Sequence, residues 1–188
     1  NIHLKGGIAA IRAVPGLMWL ILFTTFNNLI GGVYMALMDP YGLTLFSVEM
    51  WGIILGITST GFIIGGMIIA KKGLGKNPLR TMLLVNICVA IVGLLFAIRE
   101  LWWLYALGIF TYMLLFPAIE AAEQTIIQRV VPLKRQGRVF GLAQSIEIAA
   151  SPISAFMIGP IAEFIILPYM RTDAGRQAFG WLLGDGEA

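Results

Sequence analysis

The stretch GLAQSIEIAASPISAFMIGP, from Gly141 to Pro160, is apolar enough to lie in a lipid bilayer, yet it carries a carboxylate, Glu147, near its middle. The whole chain shares this character. Of its 188 residues, 59% are hydrophobic and 12% are charged, and the mean hydropathy is +0.87. Soluble domains carry about 25% charged residues. The sequence therefore predicts an all-α membrane protein, a polytopic bundle of transmembrane helices.

Five apolar blocks are long enough to cross the hydrocarbon core, for which a helix needs about 20 residues. We expect spans at about 15–38, 51–70, 81–98, 101–119 and 139–158. The fourth helix should continue toward Val131 after it leaves the membrane. Residues 15–170 would then form the transmembrane bundle. Residues 1–14 would precede it as a cytoplasmic linker, and residues 171–188 would follow it as an external loop with a short interfacial helix.

The basic residues indicate how the bundle is oriented. Ten of the 13 lysines and arginines fall in the N-terminal segment and in the second and fourth connections, which share one side of the membrane. The positive-inside rule places that side in the cytoplasm. We therefore expect the N-terminus inside, the C-terminal end outside, and a multi-pass protein of the plasma or inner membrane. The lack of a starting Met and the polar ending after an outward-facing loop indicate a fragment.

Several functional classes lack their sequence signature. One cysteine and one histidine make neither a disulfide framework nor a zinc site. The segment GLGKN has Asn77 where a phosphate-binding loop requires Ser or Thr, and neither H-E-x-x-H nor G-x-S-x-G occurs. The net charge of +3 is too small to indicate nucleic-acid binding. We expect no catalytic residues, no metal, no cofactor and no nucleic acid, and a chain that is not an enzyme.

Glu147 is the strongest candidate for a functional residue. A carboxylate at mid-bilayer costs about 2.5 to 3.5 kcal/mol, so its side chain should face protein or a water-filled cavity. Gln144, Glu147, Ser151 and Ser154 follow at steps of three, four and three, which places them on one helical face. Because low-dielectric surroundings favour a neutral carboxyl group, we expect Glu147 to be a proton-coupling site, with Gln144 and Ser151 in a substrate cavity. The alternative is a structural glutamate bonded to neighbouring helices.

Two asparagines near the middle of the first span could extend this cavity. Asn27 and Asn28 are adjacent, and adjacent residues diverge by about 100° around a helix. Both therefore cannot point the same way. We expect one of them to line the substrate cavity, and the alternative is an amide that bonds across helices, which contributes about 0.6 kcal/mol on average.

The second span is rich in small residues. Small residues recur there at intervals of four residues in two separate sets, Gly52, Gly56 and Thr60 in one and Gly61 and Gly65 in the other. Such spacing allows close helix packing, and the alternative is a smooth seam along which two helices slide. The hydroxyls of Thr58, Ser59 and Thr60 in the same span should bond to carbonyls of their own helix.

Charged residues near the cytoplasmic ends form a candidate gate. Glu120 and Glu123 lie at the end of the fourth helix, within reach of the basic connections. One interpretation pairs them with Arg138 or Arg80 as an inner gate. The alternative is a set of solvated or ion-paired surface charges with little energetic weight.

Two cytoplasmic segments resemble motifs of the major facilitator superfamily. VVPLKRQGRVFGL, residues 130–142, resembles the P-x-x-x-x-G-R signature of these transporters and adds Gly137 to the candidate gate. GGMIIAKKGLGKNPLR, residues 65–80, resembles the Gly-rich basic loop of their C-terminal half, although Lys71 stands where an aspartate is expected. The chain is similar to helices seven to eleven of a twelve-helix member, most of all to bacterial macrolide-type drug-efflux permeases, and lacks the final helix.

The resemblance implies a secondary active transporter that works by alternating access together with an N-terminal six-helix half. It implies proton-coupled efflux of a drug-like small molecule, with Glu147 taking a proton from outside and releasing it inside. The partners would be the lipid bilayer, the substrate and protons. Two alternatives stay open: proton-coupled nutrient uptake, and a membrane-embedded structural or assembly subunit without transport.

Overall fold

The regular structure of the described chain is entirely helical. The computed structural model describes residues 2–96, 101–174 and 177. Within these residues the helices are α1 (Ile2–Arg12), α2 (Leu17–Leu45), α3 (Val48–Lys72), α4 (Pro78–Phe96), α5 (Trp102–Val130), α6 (Leu133–Ile161) and α7 (Leu167–Met170), with a π-helical turn, Ala162–Ile166, between the last two. The predicted all-α class is confirmed.

Among the described residues, four helical segments are long and apolar enough to cross a membrane: Leu17–Leu45, Val48–Lys72, Trp102–Val130 and Leu133–Met170. Helix α4 is shorter, with 19 residues. At about 1.5 Å per residue it still measures about 28 Å, close to the thickness of the hydrocarbon core. The end of the third predicted span, residues 97 and 98, lies outside the described residues. These lengths and compositions support a membrane-embedded protein.

The chain divides into two compact units, Asn1–Asp39 with Gln124–Ala162 and Pro40–Glu123 with Glu163–Ala188. The first unit contains α1, most of α2, the end of α5, and α6. Its largest fully buried side chains are those of Ile11, Leu17, Ile21, Ile127 and Val139. These apolar side chains come from all four helical segments, so each segment contributes to one core.

Helix α1 occupies the segment where a linker was expected. Gly7, Ala10 and Ile11 are buried, at the spacing of one helical face. A Cβ at Gly7 would lie 3.0 Å from the Leu142 side chain, so α1 rests on the beginning of α6. An isolated helix of this length is only marginally stable in water. Contact with α6 therefore explains why this short segment is helical.

In the second unit, α3 and α5 pack through glycine. A Cβ at Gly61 would lie 2.8 Å from the Phe110 carbonyl oxygen, and a Cβ at Gly65 would collide with the Leu114 carbonyl oxygen. The two contacts advance by four residues on both helices, so α3 and α5 run parallel. The chain must return between two parallel helices, and α4 carries it back. This direction favours the five predicted spans.

Aromatic side chains join the hairpin between α2 and α3 to the start of α5. Trp51 stacks on Phe46 and on Tyr105, with ring centroids 5.9 Å and 5.8 Å apart. Tyr41 meets Tyr105 edge to face at 4.9 Å, and Phe46 meets Trp102 in the same way at 6.3 Å. Such pairs contribute about 0.5–1.5 kcal/mol each beyond area burial. We call these five residues the aromatic cluster.

The helix that contains the last predicted span continues beyond it. Helical structure continues past residue 158 through the end of α6, the π-helical turn and α7. Pro152 and Pro160 both lie inside α6, and each removes a backbone donor. The π-helical turn begins two residues after Pro160, where the regular hydrogen-bond pattern is already interrupted. Most of the predicted external loop, including its interfacial helix, lies outside the described residues.

Candidate functional site

Helices α2 and α6 approach each other closely in the first unit. A Cβ at Gly32 would collide with the Ser151 carbonyl oxygen and with the Ser154 hydroxyl oxygen. About two turns earlier on α2, Thr24 contacts Glu147 of α6. The contacts advance in the same direction along both helices, so α2 and α6 run parallel. Glycine at position 32 leaves the room that this crossing needs.

Glu147 lies in the contact between these two helices. Its side chain is 7% exposed, and its Oε1 accepts a hydrogen bond of 2.7 Å from the Thr24 hydroxyl. Its neighbours along the chain, Ile146 and Ile148, are 42% and 67% exposed. Helix α6 therefore turns the carboxyl group toward α2 and turns the adjacent isoleucines outward.

The carboxyl group is isolated from other charges along both helices. Residues 17–38 of α2 and 139–161 of α6 contain no other Asp, Glu, Lys, Arg or His. Burial of a charged group is costly unless it is paired or hydrogen-bonded, and a hydrogen bond to a charged group contributes about 1.5–3 kcal/mol. Glu147 must therefore depend on neutral dipoles such as the Thr24 hydroxyl. In the described part of the chain, no group of three His, Cys, Asp or Glu side chains is placed to hold a metal ion.

Thr24 has several acceptors within reach of one hydroxyl group. Besides the Glu147 carboxylate, the carbonyl oxygens of Leu20 and Ile21 each lie 3.1 Å from its Oγ1. The Thr24 side chain is 2% exposed. Its own carbonyl oxygen accepts a hydrogen bond of 3.0 Å from the Asn28 amide. The polar groups of this turn of α2 are thus linked to one another and, through Thr24, to α6.

The two predicted cavity asparagines have different environments. The amide of Asn28 is used within its own helix. Asn27 is half-buried, and its Nδ2 is a buried donor without a hydrogen-bond partner among the described residues. An unpaired buried donor costs about 1–3 kcal/mol. Asn27 is therefore the asparagine whose side chain has hydrogen-bonding capacity left for water or a ligand.

The predicted polar stripe on α6 is only partly turned inward. Glu147 is buried and Ser151 is half-buried, whereas Gln144 is exposed. Three residues advance about 300° around a helix, so Gln144 lies about 60° from Glu147. The other buried residues of α6, Val139, Ala143 and Ala150, lie on the opposite side of Glu147 from Gln144. The structure does not bring Gln144 to the contact with α2.

The glycines of the second span fall into two pairs. Gly61 and Gly65 are buried and contact α5. Gly52 and Gly56 are exposed, and a Cβ at either position would meet nothing within 4 Å in the described part of the chain. Among the described residues, the predicted close packing is therefore seen only for Gly61 and Gly65, whose partner helix is α5.

The residues of the predicted gate are divided between the two units, and Glu120 and Glu123 lie inside α5, ten and seven residues before its end at Val130, because this helix continues beyond the predicted span. Arg138 and Gly137 are exposed near the beginning of α6, and Arg80 is exposed near the beginning of α4. Glu120 is exposed on α5, and Glu123 is half-buried there. The gating ion pairs stay a prediction.

Sequence reasoning missed Thr24 and Gly32. Threonines in membrane helices commonly bond to their own backbone, as Thr58 does in α3 at 2.9 Å from the Ile54 carbonyl oxygen, so a threonine such as Thr24 gives little signal by itself. A usable signal was the spacing, because Thr24 lies three residues before Asn27 and four before Asn28. Gly32 is preceded by Gly31. Only the close contact of Gly32 with α6 distinguishes the two glycines, and the sequence does not show that contact.

Comparisons of the chain with protein-family models, with curated proteins and with solved structures found no match. The likeness to the major facilitator superfamily therefore depends on the two sequence motifs, residues 65–80 and 130–142, and on the predicted arrangement of the spans. The family assignment stays a prediction.

Proposed function

We propose that this chain is part of a secondary active transporter in which Glu147 binds and releases the coupling proton. The observation that carries the proposal is a buried, isolated carboxyl group held between two membrane helices by the Thr24 hydroxyl. Ionisable residues inside membrane helices face the protein interior and are associated with ion pathways and proton relays. No other charged side chain competes for this role between residues 139 and 161.

Protonation of Glu147 changes the stability of the contact between α2 and α6. An ionised carboxylate is stabilised by the Thr24 donor and by burial away from lipid. The free-energy cost of exposure to lipid is smaller for the neutral carboxyl group. A ligand shifts a conformational equilibrium only by its differential affinity for the two states. A proton bound at Glu147 supplies that difference, because it favours conformations in which the two helices separate.

The major facilitator resemblance extends the proposal to alternating access. The chain would be the C-terminal part of a transporter that has a partner N-terminal half, in the plasma membrane, with its N-terminus in the cytoplasm. Inward proton movement across 100 mV yields about 2.3 kcal/mol per charge, which can drive export of a drug-like, amphipathic small molecule. The half-buried Asn27, whose amide donor has no hydrogen-bond partner among the described residues, is a candidate substrate contact.

A structural role for Glu147 is the second candidate. The hydrogen bond to Thr24 and the glycine crossing at Gly32 both hold α2 against α6, as an assembly subunit without transport would require. Interhelical hydrogen bonds in membranes contribute about 0.6 kcal/mol on average, which is less than the cost of placing a carboxylate there. A neutral side chain would serve that purpose at lower cost.

The test replaces Glu147 by an uncharged side chain of the same shape. Gln retains an oxygen that accepts from Thr24, so the Glu147→Gln variant keeps the interhelical bond and loses only the exchangeable proton. The matched control is Glu163→Gln, a carboxylate that is exposed in the π-helical turn. The assay follows the efflux of ethidium and a panel of other drug-like cations, driven by a pH gradient, from cells that express the intact gene.

We expect the wild type and the Glu163→Gln variant to export at least one of these compounds, and the Glu147→Gln variant to lose that export while remaining folded. Accumulation against the gradient in place of export would favour nutrient uptake. Undiminished pumping by the Glu147→Gln variant would exclude the residue as the proton carrier and leave the structural role.

A further inference from the structure

The Thr24 hydroxyl has one hydrogen and a choice of acceptors. A hydroxyl group donates one hydrogen bond and has two acceptor lone pairs. The Glu147 Oε1 lies 2.7 Å from Thr24 Oγ1, and the carbonyl oxygens of Leu20 and Ile21 lie 3.1 Å away. One hydrogen cannot serve three acceptors equally well at once. The hydroxyl therefore has at least two orientations in which its hydrogen is bonded, one toward α6 and one toward its own helix.

The ionised form of Glu147 selects the first orientation. A carboxylate has only acceptors, and a distance of 2.7 Å lies at the upper end of the range for a hydroxyl that donates to an anion. The neutral form has the opposite requirement, because a protonated carboxyl group carries a donor. That donor finds the Thr24 Oγ1 at the same distance when the threonine hydrogen turns back toward the Leu20 or Ile21 carbonyl oxygen.

We propose that Thr24 is a positioning residue that reverses its hydrogen bond to Glu147 when the carboxyl group gains or loses a proton. In the ionised state, Thr24 donates to Glu147. In the neutral state, Glu147 donates to Thr24, and the Thr24 hydrogen is bonded to its own helix. One proton is added to the carboxylate from water or lost to it, no other covalent bond changes, and Thr24 keeps its hydrogen throughout. This inference rests on the proposed function, in which Glu147 exchanges a proton.

The surroundings make Thr24 the group suited to this task. The described residues of α2 from 17 to 38 contain no charged side chain, and their one titratable group, Tyr34, lies ten residues from Thr24. On α6, the nearest charged residue before Glu147 is Arg138, nine residues or about 13 Å away along the helix. On α1, which packs against the beginning of α6, Arg12 is exposed. The end of α5 in this unit carries Arg129, which is also exposed.

The Asn28 amide strengthens the assignment. It donates to the Thr24 carbonyl oxygen at 3.0 Å. This bond restrains the turn of α2 that carries the Thr24 hydroxyl. Threonine in a helix divides between two χ1 rotamers because its hydroxyl bonds to carbonyl oxygens one turn back. The Leu20 and Ile21 carbonyls are those oxygens. The backbone of α2 therefore supplies the alternative acceptors for the hydroxyl hydrogen.

The experiment measures the infrared carbonyl stretch of protonated Glu147 in the full-length protein. A difference spectrum between acid and alkaline buffer should contain this band, and its loss in the Glu147→Gln variant assigns it. The variants are Thr24→Val, which keeps the shape and removes the hydroxyl, and Thr24→Ser, which keeps the hydroxyl. The matched control is Thr25→Val, since the Thr25 hydroxyl bonds to the Ile21 carbonyl oxygen at 2.6 Å within its own helix.

We expect the band to move to higher frequency in the Thr24→Val variant, because the neutral carboxyl group loses its acceptor. The Thr24→Ser and Thr25→Val variants should keep the wild-type frequency. If the Thr24→Val variant does not fold, the Thr24→Ala variant removes the same hydroxyl and should show the same shift. An assigned band that does not move when the hydroxyl is removed overturns the role of Thr24 and leaves the proton site intact. A spectrum without any band that depends on Glu147 overturns the proposed function, and the Thr24 inference with it.

Discussion

Adding one methyl group to α3 should have opposite effects at two glycines of the same helix. In the Gly65→Ala variant, the new Cβ would collide with the Leu114 carbonyl oxygen. That oxygen belongs to the backbone of α5, so relief requires a shift of one helix and not a change of rotamer. At Gly56 the same methyl group would meet no atom within 4 Å in the described part of the chain. The Gly56→Ala variant is therefore the matched control.

The expected magnitudes follow from two opposing effects. Overpacking a well-packed site costs about 1–3 kcal/mol, whereas Ala in place of Gly within a helix gains up to about 1 kcal/mol. The gain in helix propensity is common to both variants and cancels in their difference. We expect the Gly65→Ala variant to be less stable than the Gly56→Ala variant by about 1–3 kcal/mol.

Equilibrium unfolding of the two variants measures this difference. The purified proteins are titrated with sodium dodecyl sulfate in mixed micelles, and the helical signal is followed by circular dichroism. Equal stabilities for the two variants would refute the parallel packing of α3 on α5 through Gly65. Since the parallel direction of α3 and α5 is what favours five spans, that prediction would lose its structural support.

Three other outcomes test the remaining contacts. The Gly32→Ala variant should be destabilised by about 1–3 kcal/mol in the same unfolding assay, because its methyl group enters the crossing of α2 and α6. The Gly31→Ala variant is the control, because its Cβ would have no described atom within 4 Å, and it should not be destabilised. Equal stabilities for the two variants would contradict the crossing. The Trp51→Ala variant should lose about 3–5 kcal/mol of stability, because the stacking on its aromatic neighbours is removed. The Trp103→Ala variant, at an exposed position, should change in stability by no more than about 0.5 kcal/mol. Similar losses of stability in the two variants would argue against the aromatic cluster. Cys88, exposed on α4, should resist a membrane-impermeant maleimide in intact membranes and react after unfolding in detergent, and labelling of the intact membrane would mean that α4 does not cross.

The long apolar helices were predictable from the sequence because apolar length is a local property. The predicted fourth helix, with its continuation toward Val131, corresponds closely to α5. Helix α1 was not foreseen, because its stability depends on α6, which lies more than 100 residues away in the sequence. Local composition carries no signal for such a contact.

The glycines show why packing partners could not be predicted. Gly52 and Gly56 have the same spacing as Gly61 and Gly65, yet only the second pair contacts α5. Helical periodicity gives the angle between two residues and does not say which neighbour lies at that angle. Glu147 was identified because its charge is unusual in an apolar span, whereas Thr24 is an ordinary residue there. Its importance arises from the partner that α6 brings to it.

Close packing and protonation at the contact between α2 and α6 are physically linked. The glycine crossing at Gly32 draws the two backbones together, and the same closeness shields the Glu147 carboxyl group from lipid. Separating the helices would expose that group, and the cost of exposure is larger for the ionised form than for the neutral form. Under the proposed function, deprotonation therefore holds the contact closed and protonation lowers the cost of opening it. A substitution that loosens the crossing, such as Gly32→Ala, should accordingly make opening depend less on the proton, and so weaken coupling even where transport of the substrate persists.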